Sequence, residues 1–204
     1  MSTVWVVAAL SYVVVVPLSF FLVVAVGSRV GYDHRREHDR WLYAGFSALF
    51  ATVLVGAGPV SPTLAFEPLW LLALPAGAAL YAVDTAVWQR WTGARVDRGT
   101  GAFVWTVPML LSVVPEELVF RTALAPLVDS LGGPVFVAVS AVAFGLAHVA
   151  NGRHEVAFKS WNGVVYALAF LATGSVVVPV LAHVGYNLVA VWVISLTGTD
   201  AASR

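Results

Sequence analysis

The sequence predicts an all-α, polytopic transmembrane helix bundle of about seven spans, within a range of six to eight. Three observations predict it. Hydrophobic residues make up 60% of the 204 positions and charged residues only 11%, with a mean hydropathy of +0.87. A soluble domain carries roughly 25% charged residues, so this surface is expected to face lipid. The apolar residues fall in runs close to the ~20 residues that cross a bilayer. Finally, the basic residues gather in every second connection between those runs.

The runs, in order, are 3–26, 41–58, 68–83, 102–128, 134–149, 157–173 and 176–196. No Lys or Arg precedes the first, and its 24 residues exceed a signal-peptide core, so a retained helix is expected. The fourth is long and contains Pro108 and Pro115. Proline interrupts the hydrogen-bond ladder of a helix interior. A second helical piece is therefore expected to start near Pro115, with Glu116 and Glu117 in its first turn, where the helix dipole favours negative charge. Broken helices at membrane depth are tolerated where they line a cavity. The sixth run carries Lys159 and Asn162 near its start and is the least apolar.

The positive-inside rule orients the chain. Arg29, Arg35, Arg36 and Arg40 follow the first span; Arg90, Arg95 and Arg98 follow the third. Arg153 and Lys159 follow the fifth, and Arg204 ends the chain. The other connections and the N-terminus hold no basic residue. Ten of 11 basic residues thus lie on one side, which puts the N-terminus outside and the C-terminus in the cytoplasm of a cell membrane. The alternation requires the sixth span. Residues 1–101 form spans without a motif, and residues 102–204 hold the residues that carry chemistry.

Several classes are excluded. Basic and acidic residues number 11 each, with no basic patch dense enough for nucleic acid. The absence of cysteine removes thiolate metal sites and a cysteine nucleophile. No repeat or low-complexity tract is present.

Ionisable groups in the bilayer centre are costly and are expected to face a protein interior with partners. Three clusters break the apolar pattern. In the first, Glu117 and Arg121 stand four apart and can pair on one helix face. Glu116 points about 100° away. One glutamate can be neutralised while the other remains free in a low-dielectric site, which suits a general base acting on water. The competing reading is a structural ion pair that locks helices together. The second cluster ends in His148, near the cytoplasmic end of its span, where an interfacial histidine is the plainer reading. Gly145 and Ala147 beside it permit close helix approach. In the third, His183 and Asn187 stand four apart and can converge on one point as oxyanion donors, or hydrogen-bond between spans. Taken together, these groups outline a hydrolytic centre with base, acid and oxyanion donors.

In chain order, Glu116-Glu117-x-x-x-Arg121, Phe144-x-x-x-His148 and His183-x-x-x-Asn187 resemble the three motifs of the CPBP family. That family includes the Rce1-type CAAX prenyl endoproteases, bacteriocin-processing enzymes and Abi proteins. The resemblance covers residues 116–187. It implies an intramembrane endopeptidase of the glutamate type acting on a membrane-associated peptide, with a prenylated CAAX protein as one candidate substrate. Carried over by position, Glu116 with His148 activates water, and His183 with Asn187 stabilises the oxyanion. Glu117 and Arg121 orient the site, a share of the base role being open to Glu117. No cofactor is expected. Zinc is the alternative, since two Glu and two His offer suitable donors, but the His-Glu-x-x-His helix signature is absent.

His34 and His38, in a run of alternating charge, read as a cytoplasmic loop, as does His154-Glu155. Asp84, Asp129 and Glu67 read as caps or anchors at span ends. Trp5, Trp41, Trp88, Trp91 and Trp161 read as interfacial anchors. Two other classes compete with the protease: a membrane immunity or scaffold protein that keeps the motif as structure, and a small-solute transporter, which predicts inverted repeats that are not seen.

Overall fold

A computed structural model describes residues 3–31, 36–58, 61–92 and 102–196. Each predicted span coincides with helix, and the described residues contain no strand. The elements are α1 (Thr3–Arg29), α2 (Arg36–Ala57), a 3-10 turn (Pro68–Leu72) leading into α3 (Ala73–Thr92), and α4 (Ala102–Glu117). A π-helical segment (Leu118–Ala123) and α5 (Pro126–Leu131) follow. Then come α6 (Gly133–Leu146), a 3-10 turn (Val149–Asn151), α7 (Arg153–Thr173) and α8 (Val177–Leu196).

Three stretches, Thr3–Arg29, Arg40–Ala57 and Pro68–Trp91, are long and apolar enough to cross a membrane. Gly133–Leu146 and Val177–Val191 are shorter apolar helices. The exposed faces carry Val4, Val7, Leu18, Phe21, Leu49, Val53, Leu69 and Leu168, while Glu116, Glu117, Arg121, Asn162 and His183 are buried. Apolar outside and polar inside is the distribution expected of helices solvated by lipid.

The expected break at Pro115 does not occur there. Pro108 and Pro115 both lie inside α4, and the helix widens three residues later into the π segment. Membrane helices tolerate proline because neighbouring groups satisfy freed backbone atoms. Within the π segment, Ser140 of α6 donates to the carbonyl of Phe120 at 2.7 Å. Glu116 and Glu117 therefore end α4 rather than begin a helix.

Other boundaries also moved. Residues 36–40 are the first turn of α2, and His154 and Glu155 the first turn of α7, not loops. Helices continue past their apolar portion when the emerging turn is polar. His154 stands edge-on to Trp88 and Trp91, with centroids 5.1 and 5.9 Å away. Because α3 runs well beyond residue 83, Asp84 lies inside it and is buried, not at a span end. Glu67 precedes the 3-10 turn and makes no side-chain cap, whereas Asp129 sits in the first turn of α5. His34, Arg35, Arg95, Arg98 and Arg204 lie outside the described residues.

The main packing pairs are α3 with α8, α6 with α7, and α4 with both α2 and α8. Glycine makes the closest approaches possible. A Cβ at Gly77 would strike the carbonyl of Ala182, and one at Gly185 the carbonyl of Leu74. At Gly163 it would fall 2.8 Å from the Cα of Ala141. The obstructing atoms are backbone and cannot rotate away. Gly185→Leu is therefore expected to destabilise the fold by more than the ~1–3 kcal/mol of ordinary overpacking. Thermal unfolding in detergent measures this; an unchanged midpoint would contradict the α3–α8 packing. An aromatic column leads to the polar centre: Tyr12 meets Phe120 at 5.2 Å, Phe120 meets Phe144 at 5.4 Å, and Phe144 meets His183 at 5.6 Å.

Candidate active site

The end of α4 and the middle of α8 bring four of the six expected residues together. Glu117 is fully buried and held from two sides. The Nδ1 of His183 lies 2.9 Å from its Oε1. Arg121, one turn on, puts Nε 3.1 Å from its Oε2, as an ion pair without hydrogen-bond alignment. Arg121 is itself fully buried, and its Nη2 donates to the carbonyl of Gly163 at 3.4 Å. Its guanidinium lies 5.1 Å from the Phe144 ring centre and 5.6 Å from that of Tyr166. Such cation–π contacts offset part of the desolvation of a buried cation.

Glu116 is only 2% exposed yet differently placed. His183 Nε2 lies 4.0 Å from its Oε2. That gap is too long for a direct hydrogen bond and wide enough for a water to touch both atoms. Since Nδ1–H of His183 donates to the Glu117 carboxylate, neutral His183 presents a lone pair at Nε2 toward Glu116. Tyr166 stacks on the His183 ring at 5.0 Å and 22°, fixing its plane.

His148 stands apart from this group. It follows the end of α6, and its Nδ1 meets the carbonyl of Phe144 at 2.9 Å. As donor there, Nδ1 leaves Nε2 free to accept. Phe144 separates the histidines, 4.9 Å from His148 and 5.6 Å from His183 between ring centres. Asn187 does not converge with His183 on one point. Its amide donates to the carbonyl of Met109 at 3.3 Å, and Met109 Sδ receives Arg40 at 2.9 Å.

Sequence reasoning missed the supporting polar groups. Asp84 on α3 and Asn162 on α7 are buried, and Asp84 Oδ2 and both side-chain polar atoms of Asn162 have no hydrogen-bond partner among the described residues. Lys159 Nζ lies 4.5 Å over the Tyr186 ring. The signal was available, since Asp84, Asn162 and Lys159 are polar residues beside apolar runs, but as flanks they look like anchors.

No three or more His, Asp or Glu side chains among the described residues are grouped to hold a metal ion. Glu117 already serves Arg121 and His183. The donor set therefore does not fit a zinc site, and no step is routed through one.

An apolar bundle with a carboxylate pair, an arginine and a histidine sealed in its centre is an integral membrane protein with the polar equipment of a hydrolase. The family model described as "Type II CAAX prenyl endopeptidase Rce1-like" matches residues 98–189. The chain is thus similar to that family of CAAX-type endopeptidases over a little under half its length. No curated protein and no solved structure matches it.

Proposed function

We propose that the protein is an intramembrane endopeptidase in which Glu116, without a metal ion, activates water to cleave a membrane-associated peptide. The supporting observation is the division between the two glutamates. Glu117 is bound to Arg121 and His183, whereas Glu116 is buried with Nε2 of His183 4.0 Å away, beyond hydrogen-bonding distance. A paired carboxylate is a poor base, and the one left over is the candidate.

In this reading Glu116 takes a proton from water as its oxygen bonds to the scissile carbonyl carbon. The carbonyl oxygen becomes an oxyanion. The second amide N–H of Asn187 is available to it, whereas neutral His183, with a lone pair at Nε2, is not a donor there. Collapse breaks the C–N bond, and the proton on Glu116 passes to the departing amine. Arg121 and Glu117 fix the His183 ring. His148, one turn below Phe144, offers its free Nε2 to a second water or to the substrate. The substrate is a peptide near the cytoplasmic face, with prenylated CAAX sequences as first candidate. The basic connections support a cytoplasmic C-terminus in the cell membrane.

Purified protein, a farnesylated CAAX reporter peptide and a His148→Ala variant test this. Wild type should cleave, at a rate unchanged by EDTA or orthophenanthroline, and His148→Ala should lose about 10²-fold. Cleavage lost to chelators would overturn the metal-free mechanism. A folded wild type that leaves the reporter intact would remove the CAAX substrate.

A further inference from the structure

Buried polar atoms without partners gather along one face of α7. Asp84 of α3 and Asn162 and Tyr166 of α7 are 6%, 0% and 1% exposed. Among the described residues, Asp84 Oδ2, both side-chain polar atoms of Asn162 and the Tyr166 hydroxyl have no hydrogen-bond partner, and neither does Nη1 of Arg121. Ring contacts fix the register of α3 against α7. Trp91 lies against His154 at 5.9 Å, and Trp88 lies against His154 and Phe158 at 5.1 and 5.7 Å between ring centres. The two helices therefore run antiparallel. One turn inward from Trp88 and Phe158, Asp84 and Asn162 come to the same level. Tyr186 of α8 closes the third side. Its ring meets that of Tyr81, one turn from Asp84, at 5.2 Å, and Lys159 Nζ, one turn from Asn162, at 4.5 Å. One further turn along α7, Tyr166 stacks on His183, and Arg121 donates to the carbonyl of Gly163.

The unpaired groups are mixed in kind. Asp84 accepts, Arg121 donates, and Asn162 and Tyr166 do both. A cation there would face Arg121 and Lys159, and an anion would face the Asp84 carboxyl group. Water suits all of them, since it donates and accepts, and internal waters take about three hydrogen bonds each from such groups. Buried polar atoms are almost always paired in folded proteins. We propose that Asp84, Asn162 and Tyr166 bind a short file of internal water between α3, α7 and α8, and that this file is the path by which water reaches the His183–Glu116 site. The second half of the proposal rests on that site being hydrolytic. The outer end of the file is the end of the bundle that carries Arg90 and Arg153, with Lys159 half-buried at the mouth. Its inner end is the His183 ring, whose Nε2 lies 4.0 Å from Glu116. A hydrolytic site surrounded by lipid needs such a path, because the bilayer core supplies no water.

Hydroxyl-radical footprinting of the full-length protein in nanodiscs tests this, because radicals made by X-rays from bound water oxidise the side chains that touch it. Tyr12 is the internal control. It is as buried as Tyr166, and its hydroxyl is held by Ser47 and Tyr43. Tyr166 should be oxidised at least about tenfold faster than Tyr12. Asn162→Leu keeps the branched shape and removes both polar atoms, so Tyr166 should fall toward the Tyr12 rate. Asn162→Ser keeps a hydroxyl for water and should retain most of the labelling. With the CAAX reporter, Asn162→Leu should lower kcat about tenfold with KM unchanged, and Asn162→Ser far less. If wild-type Tyr166 is oxidised no faster than Tyr12, the seam is dry and the proposal is overturned, a comparison that needs no variant to fold. If Asn162→Leu dries Tyr166 but keeps wild-type kcat, the file is not the water supply. If Tyr166 is oxidised as expected while Glu116→Gln retains full activity, the water site stands and the reading of Glu116 as the base has failed, a distinct result.

Discussion

Glu116→Gln should lower the hydrolytic rate by roughly 10²–10⁴-fold, the range removed with a general base, and leave the thermal midpoint nearly unchanged. The substitution is close to isosteric, and no ion pair shorter than 4.0 Å is lost at that carboxyl. What the amide cannot do is take a proton from water. Glu117→Gln provides the contrast. That change unpairs the fully buried Arg121 and weakens the acceptor that holds His183, so activity and stability should fall together. Rate and unfolding midpoint, measured on both variants, separate the two glutamates. If Glu116→Gln stays within about threefold of wild type, or if the two variants behave alike, the division of roles is wrong.

The bundle was legible because its determinants are local. Each span is a run of apolar residues, and lipid demands little more of a sequence than length and apolarity. The Glu117–Arg121 pair was legible for a similar reason, since a spacing of four fixes a shared face. What was hidden lies between helices. Nothing in the order of residues says that His183 leans on Glu117, or that Asn187 turns to the backbone of Met109. The tyrosines show the same limit. Tyr12 and Tyr43 are 31 residues apart and look like ordinary aromatics of two spans, and only the packing of α1 on α2 brings their hydroxyls together. Pro115 misled for a physical reason. Proline interrupts the ladder of a helix interior, yet α4 runs through Pro108 and Pro115, and the departure came three residues later as a π turn.

Arg121→Met should be the most destabilising single change in the polar centre. It leaves Glu117 as a buried carboxylate with His183 as its one remaining partner, and breaking a buried pair from one side costs about 3–5 kcal/mol. Combining it with Glu117→Gln removes both charges. The double variant should recover most of the lost stability, because desolvating two ions is itself unfavourable and an uncharged pair of similar volume avoids it. Stability alone therefore does not say what the pair is for. If it merely locked α4 to its neighbours, the double variant would regain activity along with its fold. If instead the pair holds the His183 ring in place beside Glu116, 4.0 Å away, the fold returns and the rate stays at least about tenfold low. The second outcome is expected. A fixed cation five to six ångströms from two aromatic ring centres and a carboxylate on a histidine nitrogen form a more elaborate arrangement than a helix lock requires.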